Sequence, residues 1–206
     1  MIGRPLDWKT DDIAMQNIQA RARVPGLWML ANIEHKILLT TSNRSEASVG
    51  YTTMDGDTAG GLAPIAGIDK NYLRSWLKWA ESQTGIGLGA LPALALVNEQ
   101  SPTAELRPGK ENQTDEADLM PYDILDRIEL AFVRDRLSPE DILDVVREDF
   151  PNVMEDILAG YVTKFFRLWT QSQWKRERIA PAFHLDEASV DPRTWCRYPI
   201  LSVAPE

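Results

Sequence analysis

Residues 40–61 read TTSNRSEASVGYTTMDGDTAGG, and the apolar run Ile37-Leu38-Leu39 stands just before them. A short strand over Lys36–Thr41, apolar at its centre as a strand buried on both faces would be, therefore opens into hydroxyls, one carboxylate and several glycines. Ser42 or Asn43 is placed to cap a short helix carrying Glu46 and Val49. MDGDTAGGLAP beyond it is dense in breakers and reads as a loop. In an open α/β sheet the ligand crevice lies at the carboxyl ends of the strands. That puts Thr41 and Glu46 where a nucleotide could sit.

Upstream, Asp11–Asn32 is mostly helical. Ile13, Ala20, Val24, Leu27 and Ala31 recur at helical spacing on roughly one face, and Pro25-Gly26 should kink or break the helix. Downstream, Asp69 can cap a helix whose stripe is Tyr72, Leu73, Trp76, Leu77 and Ala80, with Gly85 as its stop. Residues 85–114 form a long connection centred on QSPTAELRPGKENQ, and a loop of that length inside a domain is usually functional or mobile. The rest is helical: about Tyr122 to Arg136, a start at Ser138-Pro139-Glu140-Asp141, and a helix from Asn152 towards Arg178. Tyr161, Phe165 and Trp169 share a core-facing stripe there. The segment after Pro181 is irregular. A single strand leaves its edges unpaired, so the sheet needs further strands, missed in the sequence or supplied from outside it.

Composition narrows the function. The chain has 206 residues and a net charge of −9, so no basic surface dominates and nucleic acid is excluded as the expected partner. A lone cysteine, Cys196, rules out an intrachain disulfide and fits a reducing, cytoplasmic setting. One cysteine and two histidines make no zinc site at any usual spacing. No apolar run reaches the roughly 18 residues of a membrane span, and MIGRPLDWKTDD lacks the apolar centre of a signal peptide.

Taken one at a time, the candidate residues have ordinary explanations. Capping and a favourable dipole contact account for Glu46; a carboxylate there could equally hold Mg²⁺ on phosphate oxygens, although capping is the commoner role. Gly56, Gly60 and Gly61 have neither dinucleotide-binding nor phosphate-loop spacing and suit a turn. Arg21 and Arg23, two apart, point in different directions from a helix. Lys70 opens a helix, where the dipole disfavours a cation, a weak hint of an anion nearby. Thr103 is an ordinary turn residue. Lys175-Arg176-Glu177-Arg178 suits a solvated helix end. The residues alone describe an acidic α/β domain with room for an anionic ligand.

The motifs taken together say more. TTSNRSEASVGYTTMDGDTAGGLAPIAGIDK, then SPTAELRP, then QTDEADLMPYD, then WKRERIAP, with QNIQARAR upstream, resemble the synthetase domain of NAD⁺ synthetases, most closely the glutamine-dependent bacterial enzymes. The likeness runs in order over roughly residues 12–182. It implies an ATP-pyrophosphatase-type fold: α/β, with a partial Rossmann-like (adenine nucleotide alpha-hydrolase-like) sheet and a mostly helical C-terminal half. It implies residues 1–182 as the C-terminal part of that synthetase domain and 183–206 as an irregular tail.

The implied activity is that of a carbon–nitrogen ligase of NAD⁺ biosynthesis. Deamido-NAD⁺ is adenylated by Mg-ATP, and ammonia, drawn from glutamine in the full-length enzyme, displaces AMP. By the same resemblance Thr41, Lys70 and Thr103 would bind ATP, Arg21 and Lys175 would contact deamido-NAD⁺, and Glu46 would be the Mg²⁺ ligand. No catalytic residue is implied. Met54 stands where a substrate-binding lysine is common, Gly61 where an aspartate is, and Trp174 where histidine or tyrosine is. The family's Ser-Gly-Gly pyrophosphate loop and its glutaminase domain have no counterpart in the sequence. The expectation is a chain inactive by itself, which associates with the upstream part of a synthetase or with a copy of itself. The alternatives are a non-catalytic assembly subunit and an ATP-pyrophosphatase ligase with another acyl substrate.

Overall fold

The computed structural model describes residues 2–82, 89–107 and 114–200. The elements in chain order are α1 (Trp8–Ala22), α2 (Val24–Ile33), α3 (Arg44–Val49), α4 (Lys70–Ser82), α5 (Ala95–Asn98), α6 (Asp115–Asp118), α7 (Tyr122–Val133), α8 (Pro139–Asp149), α9 (Glu155–Gln171) and α10 (Gln173–Arg176), with one 3₁₀ turn over Pro92–Leu94.

The core lies in the C-terminal half. Tyr122, Leu125, Ile128 and Ala131 of α7 pack against Ile142 and Val146 of α8 and against Leu158, Val162, Phe165 and Trp169 of α9. Ser138 caps α8 with Asp141 returning the bond, and Pro139 opens the first turn, as its sequence foretells. Phe132 stands edge-on to Phe165, Phe166 and Trp169. The irregular stretch after Pro181 adds Ala188, Val190 and Cys196 to this core, and its Asp186 pairs with Arg44.

The expected strand is realised only in part. Among the described residues there is no strand ladder, only two isolated parallel bridges, Leu39 to Leu62 and Ala63 to Ala182. They set three extended segments side by side. Thr40 N–H donates to Leu62 O at 3.0 Å, Gly61 N–H to Leu38 O at 2.8 Å, and Ala63 N–H to Pro181 O at 2.9 Å. At Gly60 a Cβ would come within 2.9 Å of the Thr40 nitrogen, so the close approach needs glycine. Segment 36–41 is not buried on both sides as expected: Ile37 is 62% and Leu39 48% exposed. Nothing among the described residues pairs with its outer edge.

The N-terminal helices differ from expectation for the same reason. The chain breaks at Arg23, and Pro25 sits in the first turn of α2, where its missing N–H costs nothing. Ala20 and Ala31 are buried, but Ile13 and Leu27 of the anticipated core face are exposed. On α4, Ala80 is buried while Tyr72 and Trp76 stay exposed. An apolar stripe predicts what a helix can bury, and burial further requires a neighbour. The predicted stop at Gly85 lies outside the described residues. The helix expected from Asn152 begins at Glu155 and breaks at Ser172 before the short α10.

Candidate functional site

Four of the six expected site residues meet in one place. A cavity of about 470 Å³ is lined by Thr41, Glu46, Lys70 and Thr103, together with Arg23, Leu38, Tyr51, Asp57 and Asp115 among others. Four separate segments supply those four residues: the end of the 36–41 segment, α3, the start of α4 and the loop before α6. The volume lies within the range typical of small-molecule sites.

Glu46 caps α3 and pairs with Lys70. Its Oε2 accepts from the Asn43 N–H at 3.3 Å while Asn43 Oδ1 accepts from the Glu46 N–H at 2.9 Å, closing the capping box of α3. Its Oε1 accepts from Lys70 Nζ at 2.8 Å. The first carboxylate oxygen fixes the helix and the second is presented to the cavity.

Lys70 is placed by the first turn of α4. Its N–H donates to Ser45 Oγ at 2.9 Å, the Asn71 N–H donates to Asp126 Oδ2 at 3.2 Å, and Ser45 Oγ–H donates to Asp126 Oδ1 at 2.5 Å. A buried carboxylate from α7 thus satisfies one amide of the helix start directly and the Lys70 amide through Ser45. The Lys70 ammonium also stands 3.9 Å from Asp115 Oδ2 and 5.6 Å from the centre of the Tyr122 ring.

Two carboxylates on the cavity wall are not ordinary surface acids. Burial pushes Asp57 up, against the Thr53 N–H, which donates to its Oδ1 at 2.7 Å and favours the charged form. Burial likewise pushes Asp115 up, opposed by Lys70 and by the hydrogen bond from Tyr122. Neither was singled out from the sequence. Each was legible as part of a quoted motif: Asp57 follows Gly56 in the glycine loop, and Asp115 is the acid of Gln-Thr-Asp-Glu.

Arg21 and Lys175 are not on the cavity lining. Both hold the loop behind it. Arg21 Nε–H donates to Met54 O at 2.9 Å. Lys175 Nζ donates to Gly50 O at 2.6 Å and Thr52 O at 2.7 Å, and burial lowers its pKa. Arg178 adds an ion pair to Asp55 at 2.9 Å. Three cations therefore clamp residues 50–57 from outside. Met54 is itself buried. A separate pocket of about 20 Å³ beneath Ala182 and Thr194 has room for little more than water.

The profile of the family described as NAD synthase matches residues 3–178. The chain belongs to the NAD synthase family. Among its relatives, the glutamine-dependent NAD(+) synthetase of Aquifex aeolicus is 44% identical over 65% of this chain and 22% of its own length. That of Xanthomonas campestris is 34% identical over 93% of the chain and 31% of its own length. The crystal structure of a glutamine-dependent NAD(+) synthetase from Cytophaga hutchinsonii superimposes with a TM-score of 0.81 at 48% identity, covering 98% of this chain and 30% of that one. The chain thus has the NAD synthetase fold over nearly its whole length, and spans under a third of the length of these relatives.

Proposed function

We propose that this chain forms one wall of the nucleotide site of a synthetase that amidates deamido-NAD⁺ to NAD⁺ at the expense of ATP. The observation that carries it is the meeting of Thr41, Glu46, Lys70 and Thr103 around one cavity. The chemistry balances as follows. A nicotinate carboxylate oxygen attacks the α-phosphorus of ATP, and pyrophosphate leaves. Ammonia, delivered from glutamine in the full-length relatives, attacks the acyl carbon, and AMP leaves with the C–O bonding pair.

Thr41 and Thr103 supply hydroxyls to ATP, and Lys70 supplies a cation to its phosphates. Glu46 offers the hard oxygen that Mg²⁺ prefers, and its Oε1 already faces a cation, so the residue fits that ion. When bound, Mg²⁺ neutralises phosphate charge as pyrophosphate departs. Arg21 and Lys175 act on deamido-NAD⁺ through the loop they clamp.

The extended segments at 38–40, 61–63 and 181–182 form the end of a parallel, Rossmann-like sheet. Its next strand pairs with the 36–41 edge and comes from another part of a longer synthetase or from a partner chain, so the protein works in association; its lone cysteine fits the cytoplasm. Residues 1–182 carry the synthetase portion, and the irregular stretch that follows packs onto its core.

NAD⁺ formation from deamido-NAD⁺, ATP and ammonia tests the proposal, with the 206-residue chain alone and with the upstream portion of a synthetase added. Turnover is expected only in the mixture and is lost in Glu46→Gln. Equal turnover by Glu46→Gln, or binding of other acyl substrates in preference to deamido-NAD⁺ in a titration, would overturn it.

A further inference from the structure

The charge around the cavity does not suit a polyphosphate as it stands. Among the described residues, Glu46, Asp57 and Asp115 face it against Arg23 and Lys70. Three carboxylates outnumber two cations before any anion arrives, so a nucleotide must bring positive charge with it or find Lys70 released from its present partners.

Those partners are arranged unusually. Lys70 Nζ lies between Glu46 Oε1 at 2.8 Å and Asp115 Oδ2 at 3.9 Å. The Lys70 and Glu46 side chains keep 20% and 16% of their surface, so they can exchange partners with a ligand. Asp115 is 4% exposed, and its Oδ2 is held by the Tyr122 hydroxyl at 3.1 Å. Its Oδ1 is buried and has no hydrogen-bond partner among the described residues. A buried carboxylate oxygen without a donor is costly, and a cation is the ligand that removes the cost.

We propose that the Lys70 ammonium holds, in the nucleotide-free chain, the place of a divalent cation between Glu46 and Asp115, and that Asp115 is a second protein ligand of that cation. On loading, Lys70 swings to the phosphates while the metal takes both carboxylates. This rests on the nucleotide site proposed above. It agrees with the chemistry of Mg²⁺, which is commonly held by one or two carboxylates with phosphates and waters completing its shell. Among the described residues no group of three or more histidine, cysteine, aspartate or glutamate side chains could hold a metal ion, so a two-carboxylate site completed by the nucleotide is the form open to this chain.

Lysine and metal compete, so the predicted signs are opposite. In the 206-residue chain, without nucleotide, Mn²⁺ alone is titrated and free Mn²⁺ is read by electron paramagnetic resonance. Lys70→Met should tighten Mn²⁺ binding roughly tenfold by removing a competing charge. Adding Asp115→Asn or Glu46→Gln to Lys70→Met should abolish the gain. Circular dichroism melts check folding, and Lys70→Gln replaces Lys70→Met if that variant misfolds. Unchanged or weaker Mn²⁺ binding in the folded Lys70 variant overturns the proposal, as does a gain that survives Asp115→Asn. Failure of a non-hydrolysable ATP analogue to bind any variant, with the Mn²⁺ pattern intact, would count against the nucleotide reading alone.

Discussion

Nε of Arg44 lies 2.5 Å from Oε1 of Glu129, and both side chains are shut away from solvent. The pair joins α3 to α7. The same guanidinium reaches Asp186 at 2.8 Å and Asp69 at 3.2 Å, and donates to Gly67 O at 3.0 Å. One cation thus ties together the helix bearing Glu46, the residue before Lys70 and the C-terminal stretch. Removing one partner of a buried pair leaves the other charge uncompensated, at a cost of about 3–5 kcal/mol. Arg44→Ala should lose that much in urea denaturation, and Glu129→Gln, which keeps an acceptor, clearly less.

Gly50 ends α3 at φ 65°, in the left-handed region. An added Cβ would lie 2.1 Å from Ser172 Oγ and 2.5 Å from Ser172 Cβ. Gly50 O is also an acceptor for Lys175. Gly50→Ala combines backbone strain with a clash against α10's approach, and about 2 kcal/mol or more of stability should be lost. The lower Tm should come with faster proteolysis near residues 50–57 as the Lys175 clamp loosens. An unchanged Tm would show that the loop relaxes freely.

Local rules were legible in the sequence where one segment decides the outcome. The capping box at Ser138 and the Phe165/Trp169 stripe follow from residues a turn apart. So does the cap at Asn43, although it left Glu46 with two candidate roles that only Lys70's position joins. The exposed Ile37, Leu39, Ile13 and Trp76 could not be foreseen, because periodicity names an apolar face without saying what covers it. Asp115 stood in a quoted motif, but its role was hidden. Its significance depends on an ion pair with Lys70 and a hydrogen bond with Tyr122, neither of which a spacing rule can reveal.

Burial, followed by the charge of Glu129, pushes Asp126 up to about 8. Burial also raises Glu129, Asp57 and Asp115. A carboxyl with a folded pKa above its unfolded value of about 4 favours folding while protonated in both states. For Asp126 that stability is full below pH about 4 and is lost as pH rises through its folded value near 8. Tm should therefore fall between pH 5 and 8.5, by an amount on the order of a few kcal/mol in stability. Asp126→Asn should flatten much of the slope. A Tm that rises over this interval would mean that Asp126 stays ionised in the folded protein.

The outer edge of segment 36–41 makes the last prediction. Ile37 is 62% exposed and, among the described residues, its segment is bridged on one side only, at Leu39 to Leu62. An edge with apolar side chains and unpaired amides is a template for another strand. Ile37→Asp places a charge on surface already open to water, so the chain's own stability should change by no more than about 0.5 kcal/mol. If an incoming strand covers this edge, the same charge becomes buried and unpaired on association, which is costly. Sedimentation of the chain with the upstream portion of a synthetase should show a complex for the natural sequence and a weakened or absent one for Ile37→Asp. Equal association by both would place the partner elsewhere, on the exposed faces of α2 or α4.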